Sequence, residues 1–169
     1  NKCLCDRNSI GFGDGGVFFS ATCNITDSIF KNNSGGPDGG VAVNSTITAT
    51  NCAFSNNSGR YGGVAHDSTC NIINCTFNAN TGMDGRGDIG AGGTRRIKNC
   101  IFWNNALPFY GLTGVNTIEY SDVQNPSWEV FATSKECKSV NPLFISTDEA
   151  NANFMKMLST SECINTGTS

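Results

Sequence analysis

The stretch Gly39–Gly59, GGVAVNSTITATNCAFSNNSG, is repeated along this chain and decides how it folds. Its copies read GGVFFSATCNITDSIFKNNSG at 15–35, GGVAHDSTCNIINCTFNANTG at 62–82 and, shortened, GGTRRIKNCIFWNN at 92–105. The phenylalanine that the copies share recurs every 23 to 25 residues. A period of this length is typical of a solenoid, in which each copy forms one coil that stacks on the previous one.

Alternating residues divide each copy into three short strands. In the copy at 39–59, Ile47 and Ala49 are expected to point inward while the threonines between them point outward. A second strand carries Cys52 and Phe54 inward, and a third begins at Val41. Such strands, each paired with its equivalent one coil along, predict an all-β fold, a right-handed parallel β-helix of about five or six coils.

The recognisable copies end near residue 107, which divides the chain in two. Residues 1–107 are assigned to the β-helix repeats, and residues 108–169 to the last coil and a C-terminal capping segment. At the other end, Cys3 aligns with Ser28 and Cys5 with Phe30, so we expect the chain to begin near the end of a coil.

Stacked coils place equivalent residues about 4.8 Å apart, so identical residues form ladders. An aromatic stack is expected inside the coils, and an amide ladder at one corner. The Gly-Gly pairs at 15–16, 39–40, 62–63 and 92–93 are expected to supply positive φ at another corner. The two ladders consist of Phe30, Phe54, Phe77 and Phe102, and of Asn33, Asn57, Asn80 and Asn105.

Composition limits the classes of function open to the chain. Of its 169 residues 15% are charged, and the net charge of −3 argues against a nucleic-acid partner, which requires a basic face. No apolar run approaches the roughly 20 residues of a membrane-spanning helix. Nine cysteines beside one histidine favour an oxidising compartment over a zinc site, and hence an extracellular or cell-surface location.

The cysteines admit two interpretations. Cys52, Cys75 and Cys100 share one inward column, where two of them are close enough for a disulfide or all three are buried thiols. Cys137 and Cys163 are a candidate pair in the C-terminal segment. Because nine is odd, at least one thiol is free or bonds another chain, and Cys3 and Cys5 are the candidates for that bond.

Two resemblances rest on short motifs. Gly39-Gly40-Val41-Ala42 with Phe54-Ser55-Asn56-Asn57 resembles the repeat of the polymorphic outer membrane protein family, over about residues 15–105, although that family favours Ala in place of Val41. The tail motifs SDVQ at 121–124, NPLF at 141–144 and SECINTG at 161–167 resemble the end of bacterial secreted right-handed β-helix proteins, from which Asn141 and Glu162 depart. Both resemblances imply a surface or extracellular role, and neither implies a catalytic residue.

Several other patterns suggest sites. No cofactor is expected. The alternative is a calcium ion bound by stacked carboxylates at the glycine-rich corner, namely Asp14, Asp38, Asp84 and Asp88. If the chain is an enzyme, its candidate active-site residues are the charged residues near the long loop at 81–91. These are Arg60, Arg86, Arg95 and Arg96 with Asp84 and Asp88. Arg86-Gly87-Asp88 is also an integrin-type tripeptide, although a motif of only three residues often occurs by chance.

The remaining patterns concern the surface. His66 has no partner motif and is expected to be an ordinary turn or surface residue. An outward threonine column at Thr22, Thr46 and Thr69 is similar to flat ice-binding faces, over three coils only. N-glycosylation sequons occur at Asn24, Asn32, Asn44, Asn56 and Asn74.

The expected function is a secreted or cell-surface structural and adhesive module without catalytic activity. Its expected partners are a surface glycan, a cell-surface receptor or a second copy of the chain. End-to-end stacking of subunits into a fibre is predicted from the incomplete first coil, because an uncovered strand edge accepts another strand. The alternative is a carbohydrate-active enzyme, a polysaccharide lyase or glycoside hydrolase built on a β-helix.

Overall fold

The chain winds into a parallel β-solenoid of about five turns, which confirms the predicted all-β fold. This computed structural model describes residues 2–11, 15–36, 38–83, 87–90, 92–124, 131–148, 150–164 and 167. The strands, in chain order, are β1 (Leu4–Asp6), β2 (Phe18–Phe19), β3 (Thr22–Thr26), β4 (Ile29–Lys31), β5 (Ala42–Val43), β6 (Thr46–Thr50), β7 (Ala53–Ser55), β8 (Ser58–Gly59), β9 (Ala65–His66), β10 (Thr69–Ile73), β11 (Thr76–Asn78), β12 (Thr81–Gly82), β13 (Arg95–Lys98), β14 (Ile101–Trp103), β15 (Asn116–Glu119), β16 (Asp122–Val123) and β17 (Thr133–Lys135). In the described part of the chain, no helix is both long and apolar enough to cross a membrane.

Two six-stranded parallel sheets run along the solenoid. Sheet I has the order β17-β15-β13-β10-β6-β3, and sheet II has the order β1-β4-β7-β11-β14-β16. Two smaller groups, β2-β5-β9 and β8-β12, complete the coils. The parallel register brings equivalent residues side by side, so that one inward column of sheet I reads Cys23, Ile47, Cys70 and Arg95.

An aromatic stack fills the space between the two sheets. Phe30, Phe54, Phe77 and Phe102 pack face to face, with ring centroids 5.2, 4.7 and 4.4 Å apart. Phe109 meets the last ring edge-on at 4.8 Å. Aromatic pairs of this kind contribute about 0.5–1.5 kcal/mol each beyond their buried area, so the stack holds consecutive coils together.

A buried amide ladder forms the corner that follows sheet II. The Asn57 side-chain oxygen accepts hydrogen bonds from the backbone N–H and the side-chain amide of Asn33, at 3.0 and 2.9 Å. The Asn57 amide nitrogen donates to the Phe30 carbonyl and to the Asn80 side chain, both at 2.9 Å. Asn80 and Asn105 continue the pattern. Each side chain satisfies backbone groups that the turn would otherwise bury without a partner.

The first three glycine pairs allow coils to approach closely and do not adopt a left-handed backbone. The expectation of positive φ at residues 15–16, 39–40 and 62–63 is wrong, because none of these glycines has a positive φ. A Cβ at Gly16 would instead collide with the Gly40 carbonyl oxygen, and a Cβ at Gly40 with the Gly63 carbonyl oxygen. The glycines therefore set the distance between coils.

The fourth coil has a different register from the one predicted. Ile89 pairs with Ala65, so residues 87–90 continue the glycine column, and not Gly92–Gly93. Gly92 and Gly93, with φ of 76° and 63°, lie at the next corner against Asp67 and Ser68. The same dipeptide thus serves two different corners of the solenoid.

The C-terminal segment, described at residues 139–148, 150–164 and 167, packs against the side of the solenoid. Its two arms pair with each other at Phe144 and Met157. Gly167 lies against Asn99, and Met155 shares a cavity wall with Lys2 in the first coil. The described contacts of the segment reach back along the lateral face of the solenoid as far as the first coil.

Candidate functional site

A ladder of exposed polar side chains follows the corner between sheets I and II. This outer ladder consists of Asp27, Asn51, Asn74 and Asn99, whose φ values of 50°, 55°, 53° and 55° are left-handed. Asn and Asp tolerate this conformation better than other side chains do, which explains why they recur at this corner. The amide nitrogen of each Asn donates to the side chain one coil before it, at 3.2 to 3.3 Å.

A second ladder, of thiols and hydroxyls, lies directly beneath the first. It consists of Ser28, Cys52, Cys75, Cys100, Ser121 and Cys137. The Cys75 sulfur accepts a hydrogen bond from the Cys52 N–H at 3.4 Å and donates to the Ile73 carbonyl at 3.2 Å. Ser121 makes the same two bonds, to Cys100 and Glu119, at 3.1 and 2.8 Å. Cysteine and serine are therefore equivalent members of this ladder.

The expected disulfides are absent, because all nine cysteines are free thiols. Cys52, Cys75 and Cys100 do share one column, but their sulfurs serve as ladder members. The thiol of Cys100 and burial raise the pKa of Cys75. Cys137 belongs to the ladder, whereas Cys163 is bonded to Asp122, so the two do not pair. Cys3 is exposed and Cys5 half-buried in the first coil.

A lateral groove lies between the outer ladder and the C-terminal segment, which meets the ladder where Gly167 lies against Asn99. It consists of two adjoining cavities of about 260 and 400 Å³, which share Asn74 and Thr76. Asn51 and Asn74 line one wall, and Met155 and Met157 line the wall opposite. Tyr120, one coil beyond Asn99, borders the same groove.

At one end of the groove, a carboxylate binds the C-terminal segment. Asp122, only 3% exposed, accepts hydrogen bonds from the Val140 N–H at 2.9 Å and from the Cys163 thiol at 3.1 Å. Burial raises the pKa of the Asp122 carboxyl, and the Val140 N–H lowers it in part. Burial and the Asp122 carboxylate raise the pKa of Cys163 to about 11. At neutral pH this thiol is therefore a protonated donor and not a nucleophile.

Lys138 joins the same end of the groove. Its ammonium group donates to the Glu162 carbonyl of the C-terminal segment and lines the cavity beside Asp122. A cation and a carboxylate from adjacent coils thus hold the segment from two sides. This arrangement fastens a wall of the groove and leaves the groove itself open.

Among the charged residues near the long loop that the structure describes, none converge on one site. Arg95 and Asp88 are both fully buried, whereas Arg96 is exposed on sheet I. The Arg95 guanidinium donates to the carbonyls of Gly93 and Gly90, which anchors the corner at residues 90–93. Arg60 is also exposed and lies over the Tyr61 ring. Arg86 and Asp84 lie outside the described residues.

The calcium and integrin hypotheses both involve Asp88. Its carboxylate is 0% exposed, so it is not available to a receptor. It lies in the column of Val64, whereas Asp38 lies in the column of Tyr61, so the two carboxylates do not stack. Asp14 and Asp84 lie outside the described residues. Within the described ranges, no group of three His, Cys, Asp or Glu side chains is arranged to hold a metal ion.

The other surface patterns have simple surroundings. His66 stacks on Tyr61, with centroids 5.0 Å apart, and its Nε2 lies 3.4 Å from Asp67. The threonines of the outward column lie side by side on β3, β6 and β10. The sequons are exposed at Asn24, Asn44, Asn56 and Asn74 and half-buried at Asn32.

Sequence reasoning missed the outer ladder and the bonds to Asp122. The sequence does contain a signal for the outer ladder, because an Asp or Asn precedes the Ser or Cys of the thiol–hydroxyl ladder in each of the four copies. The Asp122–Cys163 contact had no such signal, since it joins residues 41 positions apart from different elements.

Comparison with known proteins found no match: no protein-family model, no curated protein and no solved structure is significantly similar to this chain.

Proposed function

We propose that this chain is a non-catalytic structural and adhesive β-solenoid module of a secreted or cell-surface protein. The observation that carries the proposal is the continuity of the ladders: stacked rings, buried amides and thiols or hydroxyls link consecutive coils. Such repeated links make a rigid rod, and a rigid rod presents its lateral surface in a fixed geometry.

The lateral groove is the part of this surface best suited to a partner. Its polar wall projects from the rod at a left-handed corner, and the C-terminal segment supplies a wall opposite. Sites of this kind, which are concave and lined by a few convergent polar groups, are the usual places for ligands.

The proposed location rests on the resemblance of the GGVA and FSNN motifs to the polymorphic outer membrane protein repeat. The cysteines do not support it, because all nine are free thiols. An extracellular site is consistent with the outer faces, where uncharged Thr and Asn side chains dominate β3, β6 and β10.

An adhesion assay tests the proposal. Beads coated with the purified chain should bind cells or extracellular matrix, whereas beads coated with the heat-denatured chain should not. Equal retention of both kinds of bead, or none of either, would contradict an adhesive role.

A carbohydrate-active enzyme is the second candidate, because Asp122 has a raised pKa and borders the groove. Carboxyl groups with raised pKa values serve as proton donors in such enzymes. Incubation with neutral and acidic polysaccharides, with and without calcium, should yield no new reducing ends or unsaturated products. Cleavage that Asp122→Asn abolishes would establish the enzyme and refute the non-catalytic proposal.

End-to-end assembly of copies belongs to the same proposal. Strand β17 is the edge of sheet I, and all three of its residues are exposed, so its outer backbone groups are available to another strand. Sedimentation velocity at rising concentration should show growing oligomers. A single monomeric species at high concentration rules this assembly out.

A further inference from the structure

We propose that the lateral groove binds an unbranched, neutral oligosaccharide through the amides of the outer ladder. The inference rests on the adhesive role proposed above and assigns it to one groove and one class of ligand. Its starting point is the juxtaposition of Asn51, Asn74 and Asn99 with Met155 and Met157 across the groove.

The outer ladder presents donors and acceptors that are already oriented. Each amide group has two N–H donors and two acceptor lone pairs. Asn74 uses one donor toward Asn51 and one lone pair toward Asn99, at 3.3 and 3.2 Å. Asn51 uses one donor toward Asp27, at 3.2 Å. Both side chains are exposed and line the groove, so they retain capacity for hydroxyl groups.

The ladder also repeats at the spacing of the coils. Equivalent side chains on adjacent parallel strands are about 4.8 Å apart, so an extended polymer lying along the groove meets the same amide coil after coil. A chain of identical sugar units matches such a surface, because each unit repeats the same hydroxyl groups.

The opposite wall provides the apolar contact that a sugar ring requires. Met155 and Met157 lie on this wall, and Tyr120 borders the groove one coil beyond Asn99. Thioether and aromatic groups pack on the C–H face of a ring. The wall is held in place by Asp122, through the Cys163 thiol at 3.1 Å. The groove therefore offers hydrogen bonds on one side and apolar surface on the other.

The charges in the groove favour a neutral ligand. Asp27 and Lys2 line one cavity, and Asp122 and Lys138 line the other, so each contains one carboxylate and one ammonium group. Neither cavity presents an excess of one sign. An acidic sugar chain would gain no net electrostatic attraction there.

Calorimetric titration with neutral unbranched hexasaccharides tests the inference, with cellohexaose, maltohexaose and N-acetylchitohexaose as probes. The probe that binds should bind about tenfold or more weakly to Asn51→Gly/Asn74→Gly, since several hydrogen bonds are lost. Glycine keeps the left-handed backbone without strain. The matched control is Asn44→Gly/Asn56→Gly, which removes two exposed left-handed asparagines (φ 50° and 53°) outside the groove and should leave affinity unchanged. All proteins are made in a host that does not glycosylate, because Asn44, Asn56 and Asn74 are in sequons.

A second measurement needs no variant. In the wild-type chain, the side-chain amide NMR signals of Asn51 and Asn74 should shift on addition of the bound hexasaccharide, and those of Asn44 and Asn56 should not. Failure of all three probes to bind, equal binding by the groove variant, or preference for hexagalacturonate or an extended peptide would each overturn the inference.

The two proposals fail separately. If coated beads adhere equally well with and without the groove asparagines, the adhesive role stands and the groove assignment falls. If the hexasaccharide binds at the groove but coated beads do not adhere, the site stands and the adhesive role falls.

Discussion

Asp88 is a carboxylate in a column whose other described members are apolar, namely Val17, Val41, Val64 and Pro108. Its backbone pairs with Val64, and both of its side-chain oxygens are buried without a hydrogen-bond partner. Burial raises the pKa of this carboxyl well above its usual range. A buried polar group without a partner costs about 1–3 kcal/mol, so Asp88 should destabilise the fold.

The first prediction follows from this position. Asp88→Val should raise the free energy of unfolding by about 1–3 kcal/mol at pH 7, because valine fits the column without a polar group. Asp88→Asn keeps the shape and removes the ionisation. Urea denaturation followed by circular dichroism measures both variants. A loss of stability on Asp88→Val would show that the carboxylate has a partner or a function.

The pH dependence gives a second prediction, whose sign follows from the raised pKa. Above the unfolded pKa of about 3.9, the unfolded chain releases the Asp88 proton while the folded chain retains it. Stability should therefore fall as pH rises from this value through the folded pKa. Asp88→Asn should be more stable than wild type at pH 7 and no more stable near pH 3. The same advantage at both pH values would refute the assignment.

Asn57 shows how much one residue of the buried amide ladder contributes to stability. Its side chain accepts two hydrogen bonds from Asn33 and donates two, to Phe30 and Asn80, and it is 0% exposed. Asn57→Ala should lower the free energy of unfolding by about 3–5 kcal/mol, because buried backbone groups lose their partners. The neighbouring Asn56→Gly, at an exposed left-handed position, should cost under about 1 kcal/mol. Chemical denaturation measures the free energy of unfolding of both variants. Similar losses of stability would mean that the amide ladder contributes little.

At the scale of elements, the thiol–hydroxyl ladder predicts that serine replaces cysteine at low cost. Cys75→Ser should change the free energy of unfolding by less than about 1 kcal/mol, because Ser28 and Ser121 already make the same bonds. Cys75→Ala should cost about 1–3 kcal/mol, since the Cys52 N–H loses its acceptor.

Cys70 is the matched control for this experiment. It lies between Ile47 and Arg95 in an inward column of sheet I, outside the thiol–hydroxyl ladder, and burial raises its pKa to about 11. Cys70→Val should therefore be better tolerated than Cys70→Ser, the reverse of the order at position 75. The same preference at both positions would contradict the ladder. Reducing agent should leave the unfolding midpoint unchanged, as no disulfide is present.

At the scale of the whole molecule, each described strand pairs only with its equivalents on the adjacent coils. Inner strands such as β6 and β10 are paired on both sides, whereas β1 and β17 are edges of their sheets. In such a linear array, opening starts at the ends, so amide protection should decline from the middle outward. Hydrogen exchange followed by mass spectrometry should find the slowest amides in β6–β11 and the fastest in β1 and β17. Uniform protection along the chain would indicate that all coils open together.

The repeat made the interior of this protein predictable. A phenylalanine every 23 to 25 residues leads to a ring stack, and an asparagine three residues later leads to a corner ladder, because parallel coils place equivalent residues side by side. The same reasoning failed at Gly92–Gly93, since a glycine pair serves two corners for two physical reasons, close approach and positive φ.

The thiols show a different limit of sequence reasoning. The column of Cys52, Cys75 and Cys100 was visible, but coil spacing alone allowed both a disulfide and a buried thiol. The structure decides between them, because each sulfur is directed toward a carbonyl of its own coil and accepts an N–H from the coil before. Hydrogen-bond direction is a property of the folded backbone.

The sequence by itself determined the solenoid, its core column and its amide corner, because these depend on residues at equal spacing along the chain. Tertiary structure alone decided the burial of Asp88, the path of the C-terminal segment and the lateral groove. These depend on contacts between residues with no periodic relation, such as Cys163 and Asp122, 41 positions apart. A repeat determines the contacts between consecutive coils, whereas this groove requires a segment that does not repeat.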